Sequence, residues 1–499
     1  MKAIRIFLKF RLEIVSFIVG AVILSYELTA SRIVAPYIGA TIYTWTSVIG
    51  VILAALAAGY AVGGIVADRR KSTNDIVWLL LGSALALIIV NISKDWVLNA
   101  ISQMNVALRW QALLASILLF TVPTFLLGMI APYLARLSIT KLSSSGSSLA
   151  RISAAGTLGS LFGTFITGYF LFSVLGSRYI LTWLSISIIL SSFILSLKFA
   201  LLYRLPLLLF AFSMLVYSPH ATIPNASVVD DLDTAYSRVI INDRILDNRP
   251  IRVLQTDNAS WQSGVYQDGS KDLVFSYTRA FAEVYKSQPK AKNVLIIGGG
   301  SFSFPEYAAN AYPDAKIDVV EIDPALTKVG KEYFNFRQPI NLNIINQDGR
   351  QFLNDSDEKY DLIFIDAFSS FIPPFQLMTK QAVEKVKSNL SQDGVVALNV
   401  ISAADGKGSK LSGAIASTYE SVFKNATFYQ VDANFPKSIT QNLLLIASVD
   451  KLNSSVDTNL KLSGAGIFHS RDKPSSFTNS KVLTDDFAPV EHLSIQENF

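Results

Sequence analysis

Residues 293–300 read NVLIIGGG and residues 360–366 read YDLIFID. Each is a short aliphatic run that stops at Gly or Asp, the signature of a strand buried on both faces. The same form recurs at Ile317–Val320, which runs into Glu321-Ile322-Asp323-Pro324, and at Leu342–Ile345, which leads to Gln347-Asp348-Gly349-Arg350. Val395–Val400 and Leu443–Ser448 complete the set. Between them lie helical patterns to about Asn310 and at Ala325–Tyr333, Gln376–Leu390 and Lys410–Phe423. Strand and helix in alternation predict a parallel, doubly wound α/β sheet.

In such a sheet the chemistry gathers at the carboxyl ends of the strands. Gly298, Gly299 and Gly300 stand at the first of those ends, where glycine lets backbone approach a ligand closely. Glu321 follows Gly300 by 21 residues, the spacing at which an acid meets the two hydroxyls of a ribose. Asp323, Asp348 and Gly349 flank the same edge, and Asp366 ends the fourth strand. Together they fit an adenosyl ligand. The third glycine of the dinucleotide fingerprint is absent, which argues against NAD. Asp348 could equally cap the helix that follows it.

Upstream of the sheet, Arg238–Asn242 and Ile251–Gln255 alternate as two strands of a small β lead-in, and Asp272–Ser287 reads as a helix. Residues 221–235 are polar. The division expected is a multi-pass membrane domain over 1–220, the lead-in over 221–290, and the α/β domain over 291–499.

The first 220 residues differ in kind. The whole chain of 499 residues is 51% hydrophobic and only 16% charged, against roughly 25% charge in ordinary soluble chains. Its mean hydropathy is +0.38. A spanning helix needs about 20 mostly apolar residues. Seven stretches approach this, near 14–36, 43–67, 76–92, 110–132, 152–175, 179–197 and 199–217, and none follows residue 220. The mixed segment Trp96–Leu108 reads as an interfacial helix or loop. Gly59, Gly63, Gly64, Gly156, Gly159, Gly163 and Gly168 recur at helical spacing and suit close helix packing. Glu27 and Arg32 lie in or near the first span, too far apart along the helix to pair well; either Glu27 finds an interhelical donor and Arg32 the interface, or the two mark a substrate or proton site.

Charge orients the bundle. The N-terminus and alternate loops hold twelve Lys and Arg, while the other loops hold only Lys94, Arg109 and Arg178. The positive-inside rule then makes the N-terminus cytoplasmic. Seven spans put the C-terminal half outside and six leave it in the cytoplasm. The last stretch decides between them and contains Arg204 and Pro206; snorkelling of Arg204 at the inner face tips the reading to seven. Residues 1–220 carry a net charge of +11 and the rest −6, which excludes a nucleic-acid partner and leaves the lipid bilayer. With no Cys and only His220, His469 and His492, a thiolate or His-based metal site is excluded.

The run VLIIGGG…VEIDP…QDGR…YDLIFIDAF resembles spermidine synthase and its relatives among class I S-adenosylmethionine-type transferases. YELTASRIVAPYIGA at 26–40, GGIVADRR at 63–70, PTFLLGMIAPYLARL at 123–137, GTLGSLFG at 156–163 and the tail LTDDFAPVEHL at 483–493 resemble the membrane-fused, transporter-like members of that group. The resemblance implies a Rossmann-like, class I methyltransferase-type domain. Gly298, Gly299 and Gly300 would cradle decarboxylated S-adenosylmethionine or S-adenosylmethionine as co-substrate, with no permanently bound cofactor. Glu321 would hold the ribose, Asp323 would belong to the same donor site, and Asp348 and Gly349 would sit by the adenine. Asp366 would take a proton from an attacking, putrescine-like amine. Trp261, Gln262, Tyr277 and Asp366 would form the acceptor pocket. The assembly stays open, with a homodimer as the candidate.

The acceptor half departs from the family more than the donor half does. GGGDGG becomes GGGSFS, with Ser301 at an acid; a second acid falls at Ser369; Tyr-His-Glu becomes Tyr277-Thr278-Arg279. Three functions therefore stay open: aminopropyl transfer, methyl transfer with Arg279 facing an anionic acceptor, and a transporter whose α/β half senses a nucleoside.

Overall fold

The computed structural model describes residues 10–139, 145–216, 226–256, 260–368, 372–449, 456, 458–460, 466–468 and 480–495. The chain divides into two compact units. One holds Met1–Ala221 with Leu232–Arg238, and the other holds Thr222–Asp231 with Val239–Phe499.

The first unit is all helical apart from its short second segment. It comprises α1 (Arg11–Ile38), α2 (Ile42–Arg69), α3 (Thr73–Ser102), α4 (Leu108–Ser138), α5 (Ser145–Ile166, prolonged by a π turn to Val174), α6 (Ser177–Leu195) and α7 (Leu201–Val216). Six of these are long and apolar enough to cross a membrane, and α7, with 16 residues, is shorter. Even so, α7 runs antiparallel along α6. Arg204 near its start stacks over Phe193 near the end of α6, and Phe212 near its end meets Trp183 near the start of α6.

The interfacial segment expected at Trp96–Leu108 is not one element. Helix α3 continues through Trp96 to Ser102, and Leu108 already begins α4. Lys94 and Asp95 interrupt the apolar run without breaking the helix, because neither residue lacks a backbone donor. The glycines divide as well. A Cβ at Gly59, Gly63, Gly159 or Gly163 would lie within 2.6 Å of backbone atoms of a neighbouring helix, so these positions hold helices in direct contact. Gly64 and Gly168 face open space and do no such packing. Glu27 is half-buried and makes no hydrogen bond among the described residues. Arg32 has its partners within the same unit. It donates to the carbonyls of Phe172 and Thr234 and stacks on the Phe172 ring.

The second segment of this unit, 232–238, is tied to the helices at three points. Besides the Arg32 bond to Thr234, Asp233 Oδ2 accepts from the Ser177 amide at 2.7 Å, and Arg238 donates to Asp95 Oδ1 at 3.2 Å and to the Tyr37 hydroxyl at 2.8 Å. All these partners lie at one end of the bundle: the carboxyl halves of α1 and α3 and the start of α6.

The lead-in is larger than its sequence suggests. It is a four-stranded antiparallel sheet in the order β1-β2-β3-β4: β1 (Ser227–Asp233), β2 (Arg238–Leu246), β3 (Arg249–Thr256) and β4 (Ser260–Tyr266). The two outer strands, SVVDDLD and SWQSGVY, are too polar and too broken in alternation to read as strands alone. Helix α8 (Ser276–Lys286) follows, shorter than the stretch expected from Asp272.

The large sheet has eight strands in the order β12-β10-β11-β9-β8-β5-β6-β7, formed by β5 (Asn293–Ile297), β6 (Lys316–Val320), β7 (Leu342–Ile345), β8 (Tyr360–Ile365), β9 (Leu390–Ser402), β10 (Asn425–Gln430), β11 (Gln441–Ser448) and β12 (Gly466–Phe468). Its centre is parallel, as expected: β9, β8, β5, β6 and β7 run together. The other edge is not. β11 pairs antiparallel with β9, and β10 antiparallel with β11. The sheet is therefore mixed, which the sequence concealed because Leu443–Ser448 is buried on both faces whichever way it runs. The helix expected over Gln376–Leu390 is two helices, α12 (Phe375–Met378) and α13 (Lys380–Ser388), separated by Thr379, whose hydroxyl caps the second by accepting from Ala382 N; Leu390 belongs to β9. This is a Rossmann-like, methyltransferase-type fold, with helices α9 (Ser303–Ala311), α10 (Pro324–Tyr333), α11 (Gly349–Asp355) and α14 (Lys410–Glu420) completing it.

Candidate active site

The site lies where β5, β6 and β8 end together. Parallel pairing puts Ile297 level with Val320 and Ile365, so the residues that follow, Gly298, Glu321 and Asp366, emerge side by side. Gly298 has φ +103°, a left-handed conformation that favours glycine, and a Cβ there would lie 2.2 Å from the Asp366 carbonyl oxygen. The chain crosses from β5 to the glycine loop against Asp366, with the Asp366 amide donating to Ile297 O at 2.8 Å.

Glu321 holds that loop. Its Oε2 accepts from the Gly299 amide at 2.7 Å and its Oε1 from the Asp323 amide at 2.9 Å. The residue is 6% exposed, and burial pushes its carboxyl above the ordinary range against the pull of those amides. Gly300 is also left-handed, at φ +53°, and the next amide, Ser301, donates to Ser263 Oγ of β4 at 2.7 Å. Two buried polar atoms here have no hydrogen-bond partner among the described residues, Ser301 Oγ and Asp323 Oδ2. Buried polar atoms almost always find partners, so an orphan pair beside a glycine loop fits a ligand that supplies them.

The other residues expected on the donor side are placed differently. Asp323 Oδ1 caps α10 by accepting from Ala325 N, and Asp348 Oδ1 caps α11 by accepting from Gln351 N at 2.9 Å. Asp348 thus takes the capping role open to it in the sequence, at the same sheet edge. Gly349 packs where a Cβ would lie 2.7 Å from Ile297 Cγ2, which keeps α11 close under β5.

Among the residues expected on the acceptor side, Asp366 is joined by Tyr277 of α8. The Tyr277 hydroxyl interacts with the Asp366 carboxyl and also donates to the Gln262 carbonyl at 2.8 Å. Burial raises the Asp366 carboxyl from the ordinary 3.8 to about 6, while Asn399 and Tyr277 pull it down. Trp261 lies among the rings, 6.3 Å from Phe275, with the Arg244 guanidinium over its face. Arg279 donates to the carbonyls of Leu273 and Val274, in the segment just before its own helix. Ser369 lies outside the described residues. Sequence reasoning missed Asn399, whose Nδ2 donates to Asp366 Oδ1 at 2.9 Å, and Asn442, whose Nδ2 donates to Asn399 Oδ1 at 3.0 Å. The tail motif has a structural part: Asp485 takes hydrogen bonds from Arg350 and Thr379, fixing the tail against α11 and α13.

A glycine loop under a buried acid, with a second acid at the neighbouring strand end, is the arrangement the sequence predicts for a nucleoside-binding site at this sheet edge. Residues 274–431 match the spermine/spermidine synthase domain. The C-terminal region therefore carries a spermidine synthase domain, and the chain is a transferase. A polyamine aminopropyltransferase of Vibrio vulnificus is 26% identical over 298 residues, covering 57% of this chain and 97% of that protein. A probable polyamine aminopropyl transferase of Bifidobacterium longum is 29% identical over 227 residues, covering 41% of this chain and 49% of that one. The crystal structure of a probable spermidine synthase from Corynebacterium glutamicum is similar at 17% identity and a TM-score of 0.45, covering 53% of this chain and 97% of that one. The chain spans nearly all of the Vibrio vulnificus and Corynebacterium glutamicum proteins and about half of the Bifidobacterium longum one.

Proposed function

We propose that this chain is a membrane-bound aminopropyltransferase. A neutral amine nitrogen attacks the aminopropyl carbon beside the sulfonium of decarboxylated S-adenosylmethionine. The new C–N bond forms as the C–S bond breaks, its electrons go to sulfur, and methylthioadenosine leaves. The nitrogen's surplus proton passes to Asp366. The observation that carries this reading is the seat of Asp366: a carboxyl raised to about 6 beside the glycine loop, able both to attract an ammonium and to accept its proton near neutral pH. Gly298, Gly299 and Gly300 would bear on the donor and Glu321 on its ribose, with Asp323, Asp348 and Gly349 beside them. Tyr277, Gln262 and Trp261 would line the amine's side. The names of the two relatives agree with this chemistry. The test is purified protein with decarboxylated S-adenosylmethionine and a panel of diamines, read by mass spectrometry for methylthioadenosine and an aminopropylated amine. Methylation with the carboxylated donor, and no aminopropyl product, would replace this reading with methyl transfer.

The bundle supports a seventh crossing. α6 runs away from the bundle end that carries Asp95 and Ser177, yet segment 232–238 is bonded back at that end, and α7 lies between them along α6. At 1.5 Å per residue its 16 residues reach about 24 Å, most of a hydrocarbon core. With the N-terminus cytoplasmic by its basic loops, the chain re-emerges on the outer side.

A further inference from the structure

Asp366 does not stand alone in its pocket. Asn399 lies at the carboxyl end of β9, the strand beside β8, and is 3% exposed. It has one amide nitrogen and one carbonyl oxygen to offer. Asn442 of β11 donates to the oxygen at 3.0 Å, so the nitrogen is left to face Asp366, which it meets at 2.9 Å. β11 runs antiparallel to β9 and brings Asn442 alongside Ile401, two residues beyond Asn399. The mixed edge of the sheet, which the sequence did not announce, thus delivers this third residue.

From this geometry we infer that Asn399, oriented by Asn442, is the positioning residue that fixes the Asp366 carboxylate and keeps it ionised at neutral pH. Burial favours the neutral acid, and a fixed N–H donor favours the charged one. The order of the chain matters. An amide turned the other way would point its oxygen at Asp366 and favour the protonated acid instead. Asn442 sets that direction by claiming the oxygen. Among the described residues, the titratable group that acts on Asp366 is Tyr277 on α8, itself held neutral by burial and by the neighbouring carboxyl. It has a single proton to divide between Asp366 and the Gln262 carbonyl, so it cannot substitute for a dedicated donor.

The inference rests on Asp366 as the base, but its test need not. Infrared difference spectra across a pH titration of the full-length protein in detergent, with Asp366→Asn subtracted, report the protonation of this carboxyl whether or not the protein turns over. The expected result is an Asp366 pKa raised by about one unit in Asn399→Leu, a tenfold lower ratio of ionised to neutral acid. A smaller rise is expected in Asn442→Leu, which is half-buried and spares the contact itself. Asn442→Gln, which keeps an amide donor, should show less of that rise. An unchanged pKa in both leucine variants would overturn the inference. An Asp366→Asn protein that still turns over would overturn the base reading and leave the spectroscopic result standing. Should Asn399→Leu fail to fold, Asn442→Leu decides alone.

Discussion

The carboxylate of Glu321 grips the glycine loop with both oxygens, Oε2 accepting from Gly299 N at 2.7 Å and Oε1 from Asp323 N at 2.9 Å. One side chain therefore sets the loop that would cradle the donor and the turn that opens the next helix. Each oxygen keeps a second lone pair, the capacity a ribose hydroxyl would use. Replacing Glu321 by Gln turns one acceptor into a donor facing an amide hydrogen. Hydrogen bonds to charged groups are worth about 1.5–3 kcal/mol. Glu321→Gln is expected to weaken donor binding by at least tenfold, measured by isothermal titration calorimetry with the donor nucleoside, while the protein stays folded.

The rate should depend on pH through Asp366. Its carboxyl stands at about 6 and must be ionised to accept a proton. Turnover with saturating substrates is expected to fall about tenfold per pH unit below that point. Stability runs the other way. The folded state holds this proton more tightly than the unfolded chain, so the contribution of Asp366 to stability decreases as pH rises from about 4 to about 6. A pH–rate profile and thermal unfolding over the same range check both signs.

Two adjacent glycines in α2 make a matched test of the bundle. A Cβ at Gly63 would sit 2.6 Å from Met129 backbone atoms of α4, and one at Gly64 would meet nothing within 4 Å. Gly63→Ala is expected to cost about 1–3 kcal/mol by overpacking and to lower the midpoint of thermal unfolding. Gly64→Ala should leave it unchanged or raise it slightly. Equal effects at the two positions would contradict the packing.

Topology can be read with single cysteines, because the chain has none of its own. Asp357→Cys lies on an exposed turn of the α/β unit and Lys71→Cys in the loop between α2 and α3. Seven crossings predict that a membrane-impermeant maleimide labels Asp357→Cys in intact cells and reaches Lys71→Cys only after lysis. Labelling of both positions only after lysis would mean six crossings and place the α/β unit in the cytoplasm.

The parallel centre of the sheet was legible because three of its five strands run straight into punctuation: Gly298, Glu321 and Asp366 mark the ends of β5, β6 and β8 by residue type alone. The antiparallel edge was not. β-branched runs carry no direction, and the residues that turn β10 into β11 at 431–440 look like any loop. β1 and β4 escaped because their Asp, Ser and Gln residues hide alternation. Helix α3 was cut short on paper by Lys94 and Asp95, a pair that in the fold meets Arg178, Arg238 and Tyr37 around the Asp95 carboxylate. Within the site, the sequence pointed to Asp366 but not to its support. Asn399 reads as a flaw in the run VVALNV. The available signal was a polar residue at the carboxyl end of a core strand, where an apolar one is cheaper unless it has a partner. Arg279 shows the converse: an exposed cation near a site looked functional, and its bonds go to carbonyls just before its own helix.

The central claim is that Asp366 takes the proton in an aminopropyl transfer. The direct measurement compares wild type with Asp366→Asn, using decarboxylated S-adenosylmethionine and the best amine of the panel, with nucleoside binding followed in parallel. The account predicts methylthioadenosine and aminopropylated amine from wild type. The variant should bind nucleoside normally and turn over about 10²–10⁴-fold more slowly. Wild-type turnover undiminished in Asp366→Asn, or no aminopropyl product from folded wild type, would contradict it.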